Sequence, residues 1–247
     1  MRLRSITKNI RDQNWLAVFL DFFIVVVGIL LAFQITNWSE RQSDKAEYNR
    51  ALERLKLENT SNLKALDTLD IGIQLALQKV GQAFDILQSC IESEDNQEIV
   101  SKGIMLIQGT HGIHLRRKAL EDLTTNSRLQ AQQSPSERQR FTDMLFYFDL
   151  FLVEAHYAET IPLEELSQNN PIISIEQWTA GKLDYFGADF SRRNRQLVLN
   201  VPINQACTNN QLLKSFQIWE RWQGYIPIFS KQLRKELETT QVQLETR

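Results

Sequence analysis

A few groups of residues in this chain could do chemistry. His111 and His114 stand three apart in Gly109-Thr-His111-Gly-Ile-His114. Two imidazoles at that spacing can share a divalent metal, with a carboxylate such as Glu121 as third ligand. Nothing else in the sequence nominates a third ligand, so this glycine-flanked segment reads as a turn, and no metal or other cofactor is expected. Glu92-Ser-Glu94-Asp95 and Glu164-Glu165 concentrate acid, but helix ends and solvated turns account for such clusters. Ser191-Arg192-Arg193-Asn194-Arg195 either holds an anion or keeps a loop soluble, and the second reading is preferred. The aromatic row Phe141, Phe146, Tyr147, Phe148, Phe151 and Tyr157 covers several faces of one helix. Core packing is its expected use, ahead of a ligand cleft. A phosphate loop, dinucleotide fingerprint, nucleophile elbow and HExxH do not occur, and no enzymatic activity is expected.

The remaining chemistry belongs to two cysteines and one acid. Asp21 is the single charge in Trp15–Ile35, WLAVFLDFFIVVVGILLAFQI. A bilayer core of roughly 30 Å needs about 20 helical residues, so this run is long enough to span. It is too long for a signal-peptide core, and no small-x-small cleavage site follows it. An uncleaved anchor over residues 15–38 is therefore expected, bracketed by the interfacial aromatics Trp15 and Trp38. Asp21, Gly28 and Ala32 fall on one helical face, because seven and eleven residues nearly complete whole turns. Gly28 and Ala32 form a small-xxx-small pair that lets a second helix approach closely. Asp21 either pairs with a partner or reaches water near the interface.

Composition excludes several classes. Lys and Arg total 28 against 30 Asp and Glu, which does not suit a nucleic-acid binder. Only 9 Gly and 5 Pro argue against a turn-rich sandwich or barrel and for long helices. Arg2, Arg4, Lys8 and Arg11 against Asp12 favour residues 1–14 as a short cytoplasmic tail, although mixed charges also follow the span. Residues 39–247 are then an extracytoplasmic domain.

The elements that must position these residues are mostly helices. Tyr48, Leu52, Leu55, Asn59, Asn62, Leu66, Leu69, Ile73, Ala76, Val80, Ala83, Leu87 and Cys90 step by four and three, a heptad seam. Leu212, Phe216, Trp219, Gln223, Ile226, Ser230, Leu233, Leu237, Thr240 and Leu244 form a second. An apolar seam must be covered, so an antiparallel return of the C-terminal helix on the stalk is expected. Asn59 and Asn62 either fix register or lie where packing is loose. Gly72 and Gly81 are candidate kinks, and Pro227 should bend the last helix. Residues 96–108 and 115–126 read as short helices, and Ser134-Pro135-Ser136-Glu137 is a capping box that opens another. Residues 162–204 read as an irregular insertion, with a small hairpin joining Leu183–Phe186 to Leu197–Val201. The fold class is all-α: a membrane helix continuing into the stalk of an antiparallel helical bundle. That topology brings Cys90 and Cys207 to the same far end. In an oxidising compartment they can form a disulfide; otherwise they are two small buried thiols.

The stretch from Asp21 through Gly28, Ala32, Gln34, Asn37 and Trp38 to Arg41 resembles the opening of a bacterial family of membrane proteins, the domain-of-unknown-function family 6090. The shared pattern is an acid, an Ile/Val run, then G-I-x-x-A-x-Q-I-x-N-W-x-E-x-R. Here Asp21 replaces the more usual Glu and Thr36 stands where Asn is common. Ala119–Leu123 through Leu129 resembles a short shared helix–turn. The resemblance implies a single-span envelope protein with a helical domain, and supplies no activity. The expected role is a membrane-anchored scaffold or interaction protein of the bacterial inner membrane, with its main domain periplasmic. Its expected partners are the lipid bilayer and either further copies of itself or another membrane protein. The alternative is an extracytoplasmic ligand-sensing bundle that signals through a membrane partner, since about 14 tail residues are too few for a transmitter domain.

Overall fold

The computed structural model describes residues 15–165, 170–177, 179–185 and 188–246. The tail charges Arg2, Arg4, Lys8, Arg11 and Asp12 lie outside them, as do the side chains of Trp15, Glu164, Glu165 and Ser191–Asn194.

One helix, α1 (Trp15–Ser89), runs unbroken from the apolar segment into the bundle and through both Gly72 and Gly81. At ~1.5 Å per residue it extends about 110 Å. α2 (Glu94–Leu106) turns back along it. Ser93 caps α2, its Oγ accepting from Asn96 N at 3.0 Å, with Glu94 and Asp95 in the first turn. Acid there complements the helix dipole, which explains most of that cluster. α3 (Lys118–Thr125) and α4 (Ser127–Ala131) continue the descent. The capping box then forms: Ser134 N donates to Glu137 Oε2 at 2.7 Å, and Glu137 N donates to Ser134 Oγ at 3.3 Å. It opens α5 (Pro135–Glu165), which ascends beside α7 (Asn210–Glu245). α6 (Ile203–Ala206) is a single turn before α7.

Direction can be read from cross-helix contacts. Arg234 meets Asp67 and Asp70, the Glu220 carboxylate lies over Gly81, Phe216 stacks on Phe84, and Cys207 is bonded to Cys90. Each step up α1 is matched by a step down α7, so the two are antiparallel. Tyr48 Oη donates to Glu137 Oε1 at the start of α5, and Gln223 Nε2 donates to Ala158 O near its far end. α5 therefore rises with α1. The result is an up-down-up-down bundle whose second member is broken into α2, α3 and α4. α7 is helical across Pro227.

Two apolar clusters fill the bundle. The one nearer the apolar segment of α1 gathers Leu55, Leu66, Ile73, Leu120, Phe148, Phe151 and Leu233, and the far one Val80, Leu87, Ile104, Phe216 and Trp219. Both predicted seams are buried except at their ends, where Cys90 is exposed and Leu244 half-buried.

The insertion over 162–204 differs from expectation. The backbone of α5 stays helical to Glu165, past Pro162. Beyond it lie four short strands: β1 (Ile173–Ile175), β2 (Thr179–Tyr185), β3 (Ala188–Asn194) and β4 (Leu197–Leu199). The pairing also differs. Leu197–Leu199 pairs with Ile173–Ile175, and Leu183 pairs with Phe190. The antiparallel register shifts by one residue between the two ladders, as a bulge produces. The inner ladder seats on the bundle through Ile172 and Leu199, which join the far apolar cluster. That burial selects the pairing, and local turn signals alone do not reveal it.

Asn59 and Asn62 part company in the core, though both are buried. Asn62 clamps a backbone: its Nδ2 donates to Arg116 O at 2.6 Å, and its Oδ1 accepts from Arg116 N at 2.8 Å. Asn59 finds no partner among the described residues for either amide atom. Asn62→Leu is thus expected to cost about 2–3 kcal/mol, because two buried backbone groups lose their partner. Asn59→Leu should cost no more than about 1 kcal/mol. Urea unfolding of the two variants checks the order, and equal losses would contradict the clamp.

Candidate functional site

The apolar part of α1 is the first candidate. Among the described residues, one helix is long and apolar enough to cross a membrane, and none of its apolar window is buried by the rest of the chain. In a bilayer a helix is the natural form for a single segment, since every backbone group must be satisfied internally. Asp21, Gly28 and Ala32 are all exposed, and a Cβ at Gly28 would meet nothing within 4 Å. The face is therefore open to lipid or to a helix from another chain. Gln34 and Trp38 are exposed and Asn37 is half-buried at the end of the segment. Thr36 bonds back to its own helix, Oγ1 donating to Ala32 O at 3.0 Å. The bundle starts ten residues beyond Trp38, where Tyr48 is the first buried side chain.

The opposite end carries the cysteines. Cys90 and Cys207 form a disulfide with Cα atoms 5.5 Å apart. It ties the end of α1 to the turn before α7, closing the bundle far from the apolar segment. Cys90 has φ of 54°, the left-handed conformation that commonly ends a helix, and its N–H donates to Ile86 O. Glycine is the usual occupant there. Beside the bridge, Glu92 Oε2 accepts from Asn204 N at 3.1 Å.

The histidines do not assemble a metal centre. Among the described residues, no three His, Cys, Asp or Glu side chains are grouped closely enough to hold a metal ion. The His111 ring lies against Gly72 of α1, and Glu121 pairs with Arg117. Of the basic run, Arg195 is exposed. The aromatic row divides: Phe141, Phe148 and Phe151 are core, while Phe146 and Tyr157 face outward.

One polar cluster was not foreseen. Arg234 donates to Asp67 Oδ1 at 2.6 Å and to Asp70 Oδ2 at 2.9 Å, and Ser230 Oγ also donates to Asp70 Oδ2. Burial works against the charge of Arg234, but the hydrogen bonds to Asp70 and Asp67 outweigh it and hold the guanidinium above its ordinary value. It stays cationic at every working pH and pins α7 to α1. Asp67 and Asp70 three apart beside the seam, facing Arg234, are the signal that could have found it.

No family model, curated protein or solved structure matches this chain.

Proposed function

We propose that this protein is a membrane-anchored helical scaffold of the bacterial envelope. Residues 15–38 hold it in the cytoplasmic membrane, and the bundle projects on the periplasmic side to dock with a membrane partner or with further copies of itself. The observation that carries this reading is a single one. An unbroken helix joins an apolar segment that nothing in the chain covers to a bundle closed at its far end by a disulfide. Such a bridge persists in oxidising compartments, which supports the periplasmic side. So does the basic excess before the span. Membership of the family resembled at Asp21–Arg41 is part of the same proposal.

The Gly28 and Ala32 face is where a second membrane helix would approach, with Asp21 on the same side about two turns from Gly28 and three from Ala32. Replacing both small residues by Ile should weaken capture of the partner at least several-fold, because the backbones can no longer come close. Affinity purification of the tagged full chain in mild detergent, wild type beside Gly28→Ile/Ala32→Ile, tests this. An unchanged set of co-purifying membrane proteins would mean that lipid alone covers this face.

A further inference from the structure

A polar layer crosses the core between α1 and α7 at the end of the bundle nearer the apolar segment. Its level follows from the register of the two helices. Ser230 Oγ donates to Asp70 Oδ2 at 3.0 Å, which sets these two residues opposite each other. Eleven residues complete about three helical turns, so the step from Asp70 back to Asn59 stays on one side of α1. The step from Ser230 on to Gln241 does the same on α7. The helices are antiparallel, and Asn59 therefore faces Gln241 and the preceding Thr240. Asn59 is 0% and Thr240 1% exposed. Along the two helices the layer is bounded by buried leucines, Leu55 and Leu66 on α1 and Leu233 and Leu237 on α7.

Four polar atoms here are buried without a hydrogen-bond partner among the described residues: Asn59 Oδ1 and Nδ2, Thr240 Oγ1 and Gln241 Oε1. Gln241 is held by its other atom, Nε2 donating to Glu245 Oε1 at 3.0 Å, so its oxygen needs a donor of its own. A buried polar group left bare costs its whole desolvation, and several at one level are rarely tolerated. Asn62, one turn along the same helix, shows the contrast, since Arg116 satisfies both atoms of its amide.

We infer that Asn59, Thr240 and Gln241 hold an internal water site between α1 and α7. The chemistry selects the ligand. It must both donate and accept, because the layer offers amide N–H groups and a hydroxyl as donors and two amide oxygens as acceptors. It must be uncharged, since the Asn59 N–H groups disfavour a cation and the amide oxygens an anion. It must be small, because leucines close the layer on either side. Water meets all three demands. One molecule accepting from Asn59 Nδ2 and Thr240 Oγ1 and donating to Gln241 Oε1 makes three hydrogen bonds, about the usual number for a buried water. Asn59 Oδ1 is then left for a second. This site is independent of the scaffold reading and of the side of the membrane on which the bundle lies.

The consequence is coupling between the two helices. With water in place the three side chains are satisfied as a set, and removing one strands the others. Asn59→Leu and Thr240→Val should each lower Tm by about 2–4 °C. In a bare layer either substitution would delete an unsatisfied group and raise Tm, so the sign of the shift separates the two cases. Asn59→Leu/Thr240→Val/Gln241→Leu removes the whole set and should melt within about 2 °C of the wild type or above it.

The test is a crystal structure of the full chain, grown from a lipid phase and resolving ordered solvent, with melting curves of the four proteins in one detergent. The expected result is a water about 2.7–3.2 Å from Asn59 Nδ2, Thr240 Oγ1 and Gln241 Oε1, and single variants that melt below the wild type. A dry layer, side chains bonded directly to one another, or single variants that melt above the wild type would overturn the water site. The crystal structure of the wild type decides even where a variant does not fold.

Discussion

Loss of the Cys90–Cys207 bridge is expected to lower the stability of the bundle by up to about 4–5 kcal/mol. The bridge closes a loop of 117 residues, and in the chain-entropy model a loop of that size loses about this much denatured-state freedom. For a domain of this size that is a fall of about 10–15 °C in Tm. Cys90→Ser/Cys207→Ser, melted beside the wild type in the same detergent, measures it. The backbone supplies a second, independent reading. Cys90 holds a left-handed φ of 54°, which costs an L-residue with a Cβ roughly 1–2 kcal/mol. Once the bridge is gone, nothing recommends a side chain there. Cys90→Gly/Cys207→Ser should therefore be more stable than the double serine variant by about 1 kcal/mol. Melting curves that coincide for all three proteins would show that the far end needs no closure.

Trp219→Ala is expected to cost about 3–5 kcal/mol, the usual penalty for emptying a buried aromatic site. Trp219 is buried on α7 within the far cluster, beside Val80, Ile107 and Phe216. It also does something no alanine can: its Nε1 donates to Gly109 O at 2.9 Å. That bond fastens the connection between α2 and α3, which carries His111 and His114, to the C-terminal helix. Trp219→Phe retains most of the apolar contact and loses the bond, so it should cost about 1–3 kcal/mol. Denaturant midpoints of both variants decide the matter. A loss below about 1 kcal/mol for the alanine variant would mean that the far cluster does not hold α7 in place.

The helical frame was legible because its signal is periodic and long. Thirteen positions from Tyr48 to Cys90 keep one phase, and the C-terminal helix keeps another, so each announces a face that must be covered. With two such faces and a short far turn, the antiparallel pairing and the meeting of the cysteines follow. The capping box at Ser134 was equally plain, since its donors and acceptors lie within four residues. The β-ribbon was not legible. Its strands are short, their mates lie across a long insertion, and what chooses Ile173 for Leu199 is burial against α2, a tertiary fact. Pro162 suggested a boundary, yet the α5 backbone continues past it, and the Ala158 carbonyl, to which a proline at 162 cannot donate, accepts from Gln223 Nε2 instead. Asn62 looked like a flaw in the seam, and its meaning lies in Arg116, 54 residues away.

The central claim is that an anchored chain holds its bundle outside the cytoplasm. Lys102 and Lys118 provide the handle, with side chains 65% and 76% exposed on the bundle. Intact spheroplasts treated with a membrane-impermeant amine reagent, followed by an alkaline carbonate wash and peptide mapping, give the answer in one measurement. The prediction is that both lysines are modified before lysis while the protein stays in the washed membrane pellet. Modification only after lysis, or release of the chain by carbonate, would contradict it.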